Sequence, residues 1–155
     1  MEHAAEIGSF DDAFDRLFRI AYRSAYRLLG SREDAEDVAI DALTRASLHW
    51  RTVRTEPAPW VTTVSANLAI DIWRRRRRAP TDRPVQPADP FDSRRIDLVR
   101  ALERLPRRQR DTVVLRYFAD LSESQTALAL GVSTGSVKQH TSRAMASLKR
   151  ELGEP

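Results

Sequence analysis

The 155-residue chain has no cysteine, only five glycines, and no apolar run long enough to span a bilayer. Without cysteine there is no disulfide framework and no thiolate-held metal or cluster. The three histidines, His3, His49 and His140, are scattered and show no ligand spacing. The few glycines form no phosphate-cradling loop of the nucleotide-binding kind. The acidic N-terminus lacks the basic-then-apolar pattern of a signal peptide. These absences argue against an enzyme, a cofactor, a metal centre and a membrane segment, and make the cytoplasm the expected location.

What the chain does have is charge, unevenly distributed. It carries 26 basic and 22 acidic residues, a net charge of +4. Residues 1–73 hold 8 basic and 12 acidic side chains, residues 74–110 hold 13 and 5, and residues 111–155 hold five of each. An acidic front and a basic middle imply two different partners, one of them nucleic acid. Of the basic residues 24 are arginine, whose planar fork suits phosphate.

The most informative stretch is Leu121 to Arg150. Ser122 with Gln125 three residues later makes a capping box. A short helix carrying Ala127, Leu128 and Leu130 follows, and Gly131 supplies the left-handed residue that ends it. Ser133 then caps a second helix with Val137, Ala144 and Leu148 on its inner side. A small Ala127 lets two helices cross closely, Gly131 makes the turn, and Val137 seals the angle. That spacing is a helix-turn-helix, whose second helix enters the major groove of DNA.

Taken in order, Ser9 with Asp12 opens a first helix whose apolar residues, Phe10 to Ala25, recur at three and four. Gly30 ends it and Ser31 with Asp34 starts a second, which buries Ala35, Val38, Ala42, Leu43 and Ala46. Asp34, Asp37 and Asp41 share one face of that helix, with Glu33 and Glu36 beside them. Trp50 to Pro59 reads as a loop, and a third helix as Trp60 to Arg78 with a buried stripe of Val61, Val64, Leu68 and Ile72. It ends in five arginines, Arg74, Arg75, Arg76, Arg77 and Arg78, a run that repels itself unless polyanion is near. Ala79 to Asp92 holds four prolines and reads as a linker. A fourth helix begins at Asp92 or Ser93 (Ile96, Val99, Leu102, Leu105). Pro106 fits the first turn of a fifth (Val113, Val114, Tyr117, Phe118). The expected fold is all-α, with domains at 1–78 and 93–155 joined by the linker 79–92.

Four blocks together resemble the extracytoplasmic-function sigma factors, small bacterial initiation factors of the sigma-70 superfamily. They are Ser31–Ala46, Trp60–Arg78, Ala101–Ser122 and Gly131–Leu148, and the resemblance covers about residues 9–78 and 97–150. It implies two promoter-reading domains, region two and region four, with core RNA polymerase and promoter DNA as partners. An anti-sigma factor would be a further partner of the same kind. By this likeness Asp34, Glu36, Asp37 and Asp41 dock on polymerase. Asn67, Asp71 and the arginine run handle the −10 element, and the loop with Arg51, Arg54 and Trp60 sits where a flipped base is held. Ser133, Thr134, Ser136, Lys138, Gln139, Ser142 and Arg143 face the −35 element. The chain departs from the family pattern at Ile40, Ser47, Gln125-Thr126 and His140-Thr141. A competing reading, a self-sufficient helix-turn-helix regulator acting as a dimer, leaves the acidic helix and the Trp60–Arg78 block without a role.

Overall fold

The computed structural model describes residues 8–78 and 90–153, without the side chains of 90–92. The elements in order are α1 (Phe10–Leu29), α2 (Arg32–Leu48), the single turn α3 (Trp50–Val53), α4 (Pro57–Arg78), α5 (Pro90–Arg104), α6 (Arg107–Val113), a π-helical turn (Val114–Phe118), α7 (Glu123–Leu130) and α8 (Thr134–Leu152). No strand occurs among the described residues, so the all-α expectation holds.

The local signals read from the sequence are present in the backbone. The Ser9–Asp12 and Ser122–Gln125 capping boxes both form, satisfying amides that a helix start leaves unbonded. Gly30 and Gly131 take the left-handed conformation at φ 65° and 66°. Ser31 and Ser133 cap α2 and α8 through their hydroxyls.

Helices α1, α2 and α4 pack together around Leu17, Leu28, Leu43, Val61 and Ile70. Each buried leucine or isoleucine stabilises this bundle by about 1.5–3 kcal/mol. Ala21, Ala25, Ala35, Ala39, Ala42 and Ala69, all buried, let the axes approach. The aromatic residues of α1 form a row of rings, with Phe14, Phe18, Tyr22 and Tyr26 stacked in succession. Trp50 meets Phe10 edge to face at 5.5 Å.

In the second half, α8 packs on α5, α6 and α7 through Val137, Ala144 and Leu148. The two halves are docked. The α5 helix lies on α1, the π turn lies on α4, and buried residues of both halves form one continuous apolar cluster.

Four expectations need correction. Trp50–Pro59 is not a loop: α3 fills its start and α4 begins at Pro57 rather than Trp60. Both prolines lie in the first turn, where the missing N–H would have no helical partner. In α4, Val64 and Ile72 are only half-buried, while Thr62, Ser65, Ala66 and Ala69 join Val61 and Leu68 inside, because neighbours cover more than one side. The fourth helix starts at Pro90, and residues 79–89 of the expected linker lie outside the described residues. In the fifth helix the π turn shifts the register, so Leu115 is buried and Tyr117 faces solvent.

Candidate nucleic-acid interface

The outer side of α8 opposes its buried seam. Thr134, Lys138, Gln139, Ser142 and Arg143 are exposed there, and the last three make no side-chain hydrogen bond or ion pair among the described residues. Lys138 approaches Glu123 of α7 at 3.9 Å, a weak surface pair. Ser133 and Ser136 are engaged in the cap: the Ser136 amide donates to Ser133 Oγ at 3.1 Å, and their hydroxyls lie 3.0 Å apart. The inner-face departures have a visible consequence. Thr126 is buried with its hydroxyl unpartnered, and His140 is half-buried with Nδ1 unpartnered. Gly131 has nothing within 4 Å of where a Cβ would stand, so its turn is demanded by backbone conformation alone.

The arginine run at the end of α4 is divided in its duties. Arg74 donates from Nε to Glu103 of α5 at 2.8 Å and stands 3.6 Å from Asp71. Arg76 makes a two-pronged pair with Asp34 of α2 (2.6 Å for Nη2 to Oδ1). Arg77 lies over the Trp73 ring at 4.8 Å and reaches Glu103 at 3.4 Å. Arg75 and Arg78 are exposed without such partners among the described residues.

The Asp34–Arg76 pair changes the acidic face expected on α2. Asp34 is buried, and its hydrogen bonds from Arg76 hold the carboxyl below its ordinary range against the opposing effect of burial. Asp34 therefore does not stand free beside Asp37 and Asp41; the exposed part of the face is Glu36, Asp37 and Asp41. Among the described residues Asp41 is paired only with Arg45 of its own helix, at 2.8 Å.

Asn67 is half-buried on α4. Its amide donates to Thr63 O at 2.9 Å and to Asp111 Oδ1 of α6 at 3.1 Å. Beside the start of α4 is a cleft of about 230 Å³ lined by Val53, Pro59 and Trp60, with Leu115, Leu128 and Leu130 as its far wall. Trp60 lines it as expected; Arg51 and Arg54 do not. Sequence reasoning missed Arg27, Glu103, Asp111 and Phe118, which tie the halves together. Only the charge of the first three and the apolar character of Phe118 were visible, and neither revealed their partners.

Among the described residues no helix is long and apolar enough to cross a membrane, and no group of histidines and carboxylates is arranged to hold a metal.

These features define an all-helical DNA-binding protein with a helix-turn-helix in its C-terminal half. Residues 13–79 match the family model for sigma-70 region 2, and residues 95–148 match that for sigma-70 region 4. The chain is 36% identical over 138 residues to the RNA polymerase sigma-E factor of Streptomyces coelicolor, covering 84% of this chain and 78% of that protein. It is 37% identical over 162 residues to the ECF RNA polymerase sigma factor SigM of Mycobacterium tuberculosis, covering 97% and 82%. Two solved structures share the fold. One is the sigma factor RpoE with the anti-sigma factor NepR from Bartonella quintana (TM-score 0.57, 22% identity, 94% of this chain and 97% of that one). The other is CnrH with the cytosolic domain of CnrY (TM-score 0.61, 20% identity, 93% and 87%). The chain belongs to the extracytoplasmic-function sigma factors of the sigma-70 superfamily. It serves transcription initiation by directing RNA polymerase to promoters and is not itself an enzyme.

Proposed function

We propose the following division of labour within that role. Residues 1–78 engage core polymerase and the −10 element, residues 93–155 read the −35 element, and residues 79–92 tether them. The polymerase contact is the acidic side of α2, with Glu36, Asp37 and Asp41 outermost and Asp34 set behind them by Arg76. Asn67, Asp71 and Arg74 handle the melted −10 strand, Arg75 and Arg78 hold its backbone, and Trp60 borders the base-holding cleft. In α8, Gln139 and Arg143 read base edges, Lys138 and Thr134 contact phosphate, and Ser133 and Ser136 stiffen the turn that aims the helix. The factor works in the cytoplasm, and an anti-sigma protein belongs among its partners.

The observation that carries this reading is the polar, exposed outer side of α8 opposite its buried Val137–Ala144–Leu148 seam. Run-off transcription with core polymerase and a promoter library tests it. Transcripts should come from a subset of templates sharing two spaced elements. Transcription independent of the upstream element would contradict the assignment of α8.

A further inference from the structure

Arg54 does not line the base-holding cleft; it lines a second hollow, of about 420 Å³, between the start of α1 and the junction of α3 with α4. Arg16 of α1, Trp50 and Pro57 line it as well, and none of these borders the cleft. Thr55 and Glu56 line both spaces, so the two are neighbours on the same half of the molecule. The segment that separates them is held by its backbone. The Arg54 amide donates to Trp50 O at 2.8 Å and the Glu56 amide to Val53 O at 3.1 Å.

The chemistry of this hollow is mixed. Arg16, Arg54 and Glu56 are exposed, and none makes a side-chain hydrogen bond or ion pair among the described residues. Opposite charges therefore face one space without meeting across it. Asp12, a second carboxylate at the rim, accepts from the Ser9 amide at 3.2 Å in the capping box. Trp50 is half-buried, its ring fixed edge to face against Phe10, and with Pro57 it supplies an apolar wall.

A guest that satisfies this set is flat, has an apolar face, and carries both donors and acceptors along its edge. A bare anion does not qualify, because Glu56 and Asp12 would repel it. An unpaired nucleobase does, since aromatic walls take its face and charged side chains take its edges. Among the bases guanine fits both signs of charge. Its N1–H and N2–H₂ groups donate side by side to a carboxylate, while O6 and N7 accept from a guanidinium. Adenine, cytosine and thymine each offer a carboxylate only one donor group at that edge.

We propose that the hollow between α1 and the α3–α4 junction is a second base-binding site on the melted strand, selective for guanine. Glu56 accepts from the guanine donors, Arg16 donates to its acceptors, Trp50 and Pro57 cover its face, and Arg54 holds the adjoining phosphate. This rests on the reading that the first half handles the melted −10 strand.

Core polymerase carrying this chain would be titrated with fluorescein-labelled single strands bearing the −10 element, with guanine or thymine placed in turn at each flanking position. One position should favour guanine by roughly tenfold, the size expected of one well-made base contact. Arg16→Gln and Glu56→Gln, both at exposed residues, should each reduce that ratio to about twofold or less, whereas Arg54→Gln should weaken guanine and thymine strands alike. A wild-type protein with no guanine preference at any position would overturn the proposal, as would a preference that survives both Arg16→Gln and Glu56→Gln. Asn67→Ala tests the reading beneath it and should weaken every strand equally. If the strands do not bind the loaded polymerase at all, the strand reading fails and the proposal with it. If they bind, and weaken on Asn67→Ala, but show no base preference, only the second site fails.

Discussion

Asn67 and Asp111, 44 positions apart in the chain, are joined by a 3.1 Å hydrogen bond that crosses between the two halves of the molecule. Asn67 is also the residue proposed, by resemblance to the family, to handle the −10 strand, so the bond occupies a side chain for which a second role is proposed. Asn67→Ala should leave the helices intact and lower stability by only about 1 kcal/mol, the usual worth of such a bond. Polymerase binding should stay normal, while open complexes at a duplex promoter fall sharply. Thermal melting, core-enzyme competition and open-complex yield check the three parts; loss of core binding in step with melting temperature would make Asn67 a structural residue only.

Asp34 and Arg76 should behave as a coupled pair. The Asp34 carboxyl is held below its usual range by hydrogen bonds from Arg76. A carboxylate with a depressed value stabilises the fold at pH above its unfolded value, about 3.9, and loses that effect as pH falls through the folded value. A double-mutant cycle with Asp34→Asn and Arg76→Met should therefore give about 1 kcal/mol of coupling at neutral pH, shrinking to nothing at strongly acid pH. Equal coupling at both pH values would show that the ion pair is not its source.

Reversing Asp37 and Asp41 to lysine should abolish core-polymerase binding with little change in folding. Both are exposed, and Asp41 gives up only a surface pair with Arg45 worth less than about 0.5 kcal/mol. A double mutant that still competes for core enzyme would mean that this face is merely solvated.

On α8, Gln139→Ala and Arg143→Ala should each cost roughly 1–3 kcal/mol and relax preference at one promoter position, whereas Lys138→Ala should weaken all sequences alike. Selection from a randomised −35 element measures both. Unchanged preference in the first two variants would remove them from base reading.

Gly131→Ala isolates the turn between α7 and α8. With open space around the missing Cβ, the change should cost about 1–2 kcal/mol through the left-handed backbone alone. Chemical denaturation checks it; a larger loss would mean that the turn also packs tightly.

What could be read from the sequence was what depends on near neighbours. Ser9 with Asp12, Ser122 with Gln125, and Gly30 and Gly131 are caps whose partners lie within a few residues, and all form. The buried side of α2 was equally plain, because Ala35, Val38, Ala42, Leu43 and Ala46 repeat at helical spacing. Pro57 and Pro59 misled because proline breaks a helix interior but suits its first turn. The Asp34–Arg76 pair spans 42 positions, and no local pattern distinguishes an arginine that will fold back on α2 from its four neighbours. The π turn at Val114–Phe118 left no mark in composition, although it exchanges Leu115 for Tyr117 at the core. For the site, the residue types on α4 and α8 were legible, whereas the carboxylates of α5 and α6 that pair with Arg74 and Asn67 on α4 were not.

The most direct test is chemical footprinting of a promoter with core polymerase and this chain together. Unpaired thymines at the −10 element should become reactive to permanganate, and the −35 major groove should be protected, only when both proteins are present. Symmetric protection by the chain alone, with no unpaired thymines on adding polymerase, would contradict the account.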